Sequence, residues 1–221
     1  MHENNELSQL AVLDNYSLQA AWKVKLDLRV LTYMAQKMWQ HLLSQAAGTT
    51  LPSIHFAEEK RARVHRMAIY QQQEYLLHHS LQFVGFISGV QQNVSPTIVQ
   101  EIHRVDKVFM TELADNPGLL SYSSLELNKG HWYNLVLLSD STAKTYFKES
   151  SMHTYAAYQL SQHYYAWIRL HNGIMSGGLQ GKDFVVHSTK YYSFPVIGQQ
   201  PVTREAQYTV ETRFSASIKT K

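Results

Sequence analysis

Residues 81–90 read LQFVGFISGV, and the fold turns on them. The run is short, rich in Phe, Val and Ile, and closed by Gln91-Gln92-Asn93, which marks a strand. Ser95-Pro96 follows as an N-cap with proline at the first helical position. Ile98, Ile102, Val105 and Phe109 then keep to one helical face until about Ala114, and Asp115-Asn116-Pro117-Gly118 stops the helix. Leu119 to Leu127 and Trp132 to Leu138 are extended, joined by Asn128-Lys129-Gly130, which suits a tight hairpin with Gly130 at positive φ. A second helix starts after Ser139-Asp140-Ser141 and runs to about His163, with a break at Glu149-Ser150-Ser151. Ala166 to Ile174 and Phe184 to Phe194 are extended again, separated by the turn Ser176-Gly177-Gly178.

From Leu81 the order is therefore strand, helix, strand, strand, helix, strand, the split βαβ plan. The expected fold is α+β: a ferredoxin-like domain over 81–194 with both helices on one sheet face. Leu135 and Leu137 alternate with Val136 and Leu138, so the strand is apolar on both sides. The far face needs a cover, and a second copy of the chain is the expected one.

Residues 1–80 read as a helical N-terminal extension. Val24, Leu28, Leu31, Ala35, Met38 and Leu42 recur three or four apart and form one stripe. An isolated helix is marginal, so that stripe is expected to pack on the core or on a partner copy. Ala47 to Pro52 punctuates the chain, and a second helix is expected from Phe56 to His78, with the mixed-sign run Glu58 to Arg63 as a solvated face. The tail, 195–221, is expected to add an edge strand at Tyr208 to Ile218.

Composition narrows the chemistry. The sequence has no cysteine, which excludes disulfides, thiolate-held metals, iron–sulfur clusters and thiol nucleophiles, and suits a reducing cytoplasm. No apolar run approaches the roughly 18 residues of a membrane span, and the polar start Met1 to Glu6 lacks a signal core. A soluble cytoplasmic protein is expected. The net charge of +3 mildly favours anionic ligands, and with no face saturated by Lys and Arg, nucleic acid is not the expected partner. With 14 Tyr, 4 Trp and 12 His, the chain is well stocked with side chains that line pockets and interfaces as readily as cores. Glu74 and His78 share a helical face but lack a second ligand pair, so no metal is expected.

Three stretches carry a family resemblance: Asn116 to Ser124 (NPGLLSYSS), Trp132 to Asp140 (WYNLVLLSD), and Ser150-Ser151-Met152-His153. In their order and spacing the chain, from Leu81 to Phe194, resembles the dimeric α+β barrel proteins of the antibiotic-biosynthesis-monooxygenase type. Those proteins show a Pro-Gly-Phe-Leu turn where this chain has Pro117-Gly118-Leu119-Leu120, and a Ser-Pro-x-His element at Ser150 to His153. The resemblance implies a homodimer with a pocket between sheet and helices, and functions that include cofactor-free oxygenation of polycyclic phenols, haem degradation, isomerisation and binding. The haem-degrading branch is disfavoured. Its first-strand Asn is absent from Leu81 to Val90, Tyr146 or Phe147 stands at its Trp position, and Ala156 at its His position.

Candidate site residues follow. His153, at the family's Ser-x-x-His position, is either a proton acceptor at a pocket mouth or a histidine packed in its helix. Trp132 and Asn134 share one face of their strand, opposite His131 and Tyr133; Asn134 is either a ligand for a carbonyl or phenolate or a buried amide tied to backbone. Trp167, Arg169 and His171 form a row that can recognise an anionic or phenolic group by charge and stacking, or simply face solvent. The expected function is a cofactor-independent monooxygenase-like enzyme, or a related cyclase or isomerase, acting on an aromatic or polyketide-like substrate. His153, Asn134 and Arg169 would be catalytic, with Trp132, Trp167 and His171 binding substrate and no cofactor needed. The alternative is a module that binds a hydrophobic ligand without turnover.

Overall fold

The computed structural model describes residues 3–45, 50–181 and 183–212. A long helix, α1 (Glu3–Ser44), precedes an eight-stranded sheet in which every neighbouring pair is antiparallel. Its strands are β1 (Ser53–Glu59), β2 (Arg63–Ile69), β3 (Leu81–Val90), β4 (Leu119–Asn128), β5 (His131–Leu138), β6 (Tyr165–Ser176), β7 (Asp183–Ser193) and β8 (Val202–Thr212). They lie in the order β1-β2-β4-β5-β3-β6-β7-β8. A short α2 (Gln73–His78) leads into β3. Helix α3 (Pro96–Leu113) carries the chain from β3 to β4, past the position β5 later fills. From β5 to β6 the chain runs through α4 (Ala143–Glu149), α5 (Ser151–Tyr155), a π-helical turn (Ala156–Leu160) and α6 (Ser161–Tyr164). Among the described residues no helix is long and apolar enough to cross a membrane.

Local signals act as their chemistry requires. Ser95 Oγ accepts from the Ile98 amide at 3.3 Å and starts α3. Ser150 does the same for His153 at 3.1 Å, which makes the expected break between α4 and α5. Gly130 turns the β4–β5 hairpin at φ 76.

Side chains that alternate along β5 enter two different cores. Leu135 and Leu137 join a cluster with α1, β2, β3 and β7, whereas Val136 and Leu138 pack with Met110 and Leu113 of α3 and Ala143 of α4. Each face thus has its own helical layer, and this corrects one expectation. The face reserved for a second copy is covered by α1 of the same chain. The stripe Val24, Leu28, Leu31, Ala35, Met38 and Leu42 is at most 1% exposed, as expected of a helix whose apolar face is buried. Gly85 makes room for it, since a Cβ there would come within 2.6 Å of Leu31 Cδ1.

A second correction concerns residues 53–69, which form the hairpin β1–β2 rather than a helix. Burial alternates residue by residue along β1, and β2 pairs with β4 from His65↔Leu125 to Ile69↔Ser121. The turn hid itself in sequence because Arg61 and Ala62 hold φ values of 66 and 53, where Gly or Asn is the usual choice. Of the expected helix only Gln73–His78 is helical. The described residues before Leu81 are therefore two helices and a sheet hairpin, not an all-helical extension. The expected edge strand is found earlier, as β8 at Val202–Thr212 against β7; residues 213–221 lie outside the described ones.

Because Leu31 lies at the centre of the contact, Leu31→Ala is expected to lower unfolding stability by roughly 2–5 kcal/mol, measured in urea. A change below about 0.5 kcal/mol would mean that α1 is an appendage rather than core.

Candidate functional site

Strand register decides which side chains can meet. Directly paired residues share a face, so Tyr133, Ile87, Arg169, Tyr191 and Arg204 form one row across β5, β3, β6, β7 and β8. The adjacent row on that face holds Ser123, Leu135, Gly85, His171 and Thr189. Both rows lie under α1.

Into these rows α1 lowers a carboxylate. Asp27 sits within the apolar stripe and is 1% exposed. Arg169 donates to it twice, from Nε at 2.7 Å and Nη2 at 2.8 Å, and the Tyr133 hydroxyl donates at 3.4 Å. His171 Nε2 is 3.0 Å from the same carboxylate and Nδ1 is 2.7 Å from Thr189 Oγ1. One tautomer, with Nε2–H toward Asp27 and Nδ1 accepting from the threonine hydroxyl, satisfies both contacts. Burial pushes the Asp27 carboxyl up, but the hydrogen bonds and charges of His171 and Arg169 outweigh it and hold the group below the usual carboxylate value. The Arg169 guanidinium also lies 4.3 Å from the centre of the Trp167 ring. Trp167 is braced in turn by Gly89, where a Cβ would come within 2.4 Å of the indole nitrogen, and by the edge of His131.

On the solvent side of this network is an open cleft of about 540 Å³. Trp167, Arg169, Tyr191 and Arg204 line it from the strands and Lys23 from α1, together with Pro195 and Val202. Arg169 thus belongs to both the buried network and the cleft wall. His171 is fully buried behind it.

The residues expected to share one cavity are divided between the two faces of the sheet. Asn134 pairs with Phe86, which pairs with Leu170, so it points to the face opposite Arg169; Trp132 shares that face. There Asn134 accepts from the Tyr122 hydroxyl at 3.0 Å and donates to the Phe86 carbonyl at 3.4 Å, the amide tied to backbone. His153, on α5, packs its ring 6.1 Å from Phe109 of α3. It lines neither the Arg169 cleft nor a smaller one of about 350 Å³ between α3 and α4, where Glu112, Asp115, Tyr146 and Glu149 meet. The second helical layer and the α1 layer are on opposite sides of the sheet, so His153 and Arg169 cannot border one ligand. Trp167, Arg169 and His171 are brought together; His153, Asn134 and Trp132 are not brought to them. Asp27, Lys23, Tyr191 and Arg204 were missed. For Asp27 the signal was present, because a carboxylate between Val24 and Leu31 on an apolar stripe demands a buried partner.

A second polar cluster lies under the other half of α1. His65 Nε2 is 2.6 Å from Ser123 Oγ, and Nδ1 faces Glu59 at 3.8 Å. Tyr33 donates to Glu59, and Lys37 stands 3.9 Å from it. This has the order of a serine–histidine–carboxylate relay, but His65 and Ser123 are fully buried, which leaves no approach for a substrate. Among the described residues no three His, Asp or Glu side chains gather closely enough to hold a metal ion.

Two outcomes follow from these contacts. Asp27→Asn leaves the Arg169 charge largely buried without its counter-ion, so a loss of about 3–5 kcal/mol is expected at pH 7 by urea unfolding. An undiminished midpoint would show that α1 is not held by this pair. For His65, burial depresses the imidazole to about 4 from the ordinary 6.5, against the opposing pull of Glu59. The folded state therefore refuses a proton that the unfolded chain accepts. Stability is complete above about pH 6.5 and falls as pH drops toward 4. Between pH 7 and 5 this amounts to roughly 2 kcal/mol, and His65→Gln is expected to flatten that slope.

Comparison of the chain with protein-family models, with curated proteins and with solved structures returns no match in any of the three.

Proposed function

We propose that this chain is a binding protein for a small hydrophobic or aromatic molecule, seated in the cleft beside α1, on a ferredoxin-like core. The order β4-β5-β3-β6, with a helical crossover from β3 to β4 and another from β5 to β6, supports that core. In dimeric α+β barrels the free sheet face meets a second sheet; here α1 takes that position. A homodimer, if the chain forms one, would then use another surface.

The observation that carries the ligand proposal is Trp167, an indole braced by Gly89 and His131 on the wall of a cleft shared with Tyr191. A rigid aromatic wall stacks a flat ligand without first having to be ordered. Between the two expected functions, binding fits better than oxygenation. Cofactor-free oxygenation needs a base within hydrogen-bond reach of the substrate hydroxyl. His153 is on the far side of the sheet, and His171 is sealed behind Arg169 and committed to Asp27 and Thr189.

Naphthalene-2-carboxamide, a flat neutral aromatic, is expected to bind and to quench tryptophan fluorescence. Trp167→Ala should weaken it at least tenfold while Trp22→Ala, an exposed site, leaves it unchanged. Equal binding by the Trp167 variant, with its fold intact by circular dichroism, would remove the cleft as the site.

A further inference from the structure

We infer that β1 is the contact between two copies of this chain: its open edge pairs antiparallel with the same edge of a second copy, joining two eight-stranded sheets into one. The surface lies at the opposite end of the sheet from the cleft, so the inference is independent of the binding function proposed above.

The sheet ends in β1 on one side and β8 on the other. An end strand leaves the N–H and C=O groups of alternate residues without a strand partner, and proteins commonly protect such an edge with charge. β8 carries Arg204, Glu205 and Glu211 along its length. On β1 the stretch from Ser53 to Ala57 holds no Lys, Arg, Asp or Glu, and charge begins only at Glu58. Among the described residues β1 has one strand neighbour, β2.

The faces beside this edge are apolar as well. Alternation turns His55 toward α1 and sends Ile54 and Phe56 to the other side, where they are 55% and 63% exposed. Val64 of β2, diagonal to Phe56 in the hairpin register, is 52% exposed on that same side. Helix α3 stops short of them. Its Asp106 holds Arg66 of β2, while Phe56, directly paired with Arg66 one strand farther out, stays open. On the α1 side, Leu43 lies two residues beyond the His41 that stacks on His55, and it too is exposed. Ile54, Phe56 and Val64 make a contiguous patch of roughly 300 Å², the scale at which apolar patches are often functional. Two such patches, with the backbone of two paired edges, approach the roughly 1,000 Å² of a specific interface.

The occupant is a second copy because β1 is complementary to itself. With a two-fold axis at His55, perpendicular to the sheet, Ile54 of each copy lies opposite Phe56 of the other, and Ser53 opposite Ala57. Moving the axis to Phe56 would set Glu58 against Ile54, and moving it to Ala57 would set Glu58 against Phe56. The first register alone matches apolar side chains with apolar side chains twice. It also keeps both copies of α1 on one face and both copies of α3 on the other, so each helical layer continues across the junction.

Sedimentation equilibrium of the full chain tests this, and twice the chain mass is expected at micromolar concentration. Phe56→Glu and Ile54→Lys, both at exposed positions, should each weaken the dimer by roughly a hundredfold, because the two-fold applies every substitution twice. Ile197→Glu, in the loop after β7 and 58% exposed, should leave the dimer unchanged. Circular dichroism checks that each variant keeps its fold, and either of the two β1 variants suffices if the other unfolds. Mixing the two should restore a heterodimer, because the carboxylate introduced in one copy then faces the ammonium introduced in the other. A monomeric natural chain, or a dimer indifferent to both β1 substitutions, would overturn the inference. A mixture that recovers no affinity would overturn the pairing of Ile54 with Phe56.

Discussion

The long helix α1 can lie on the sheet only because the Asp27 carboxylate, carried within its apolar stripe, meets Arg169 and His171. Burying a carboxylate without partners costs several kcal/mol, enough to undo the gain from one or two leucines. The partners must be in position when the helix arrives, and the strand rows provide them. Tyr133 and Arg169 stand in one row across β3, and His171 and Thr189 in the next. Asp27 therefore does more than hold the helix. It specifies where along the sheet the stripe must dock, because a shift of one helical turn would leave the carboxylate over hydrocarbon.

That docking has consequences at both ends of α1. Toward its N-terminal half Lys23 is brought to the rim of the cleft between α1 and β6–β8, so the helix completes the wall it helps define. Toward the C-terminal half Tyr33 and Lys37 close over Glu59 and seal His65 and Ser123 beneath them. Farther along, His41 stacks on His55 of β1 at 3.9 Å. A single helix thus crosses the whole sheet from β8 to β1. It supplies the layer that strands apolar on both sides require on this face.

The two faces of the sheet have divided their tasks. The face under α3 and α4 contains a closed polar set, Arg66, Asp106, Tyr122 and Asn134, in which each group has a partner within the protein. Burial pushes the Tyr122 phenol well above its ordinary range, so the hydroxyl keeps its proton and donates a hydrogen bond to Asn134. On the α1 face the corresponding set is closed only on its inner side, and through Arg169 it reaches the cleft. The polar groups of this face that reach solvent are therefore those at the cleft between α1 and β6–β8.

Much of this was legible without coordinates. The α1 stripe, the strands from Leu81 to Phe194, the cap at Ser95, the break at Ser150 and the turn at Gly130 are local patterns, and local patterns survive in one dimension because each depends on residues a few positions apart. The same holds for the alternation that set Trp132 with Asn134 and Trp167 with Arg169. The β1–β2 hairpin was not legible, since its turn uses Arg61 and Ala62 at positive φ and its strands gain their stability from β4, more than fifty residues away. Nor could sequence decide which face each alternating set would take. That choice depends on the register through β3, and a slip of one residue would exchange the two sets completely. Tertiary structure alone put Arg169 under α1 and Asn134 under α3, and so separated residues that seemed to belong to one site.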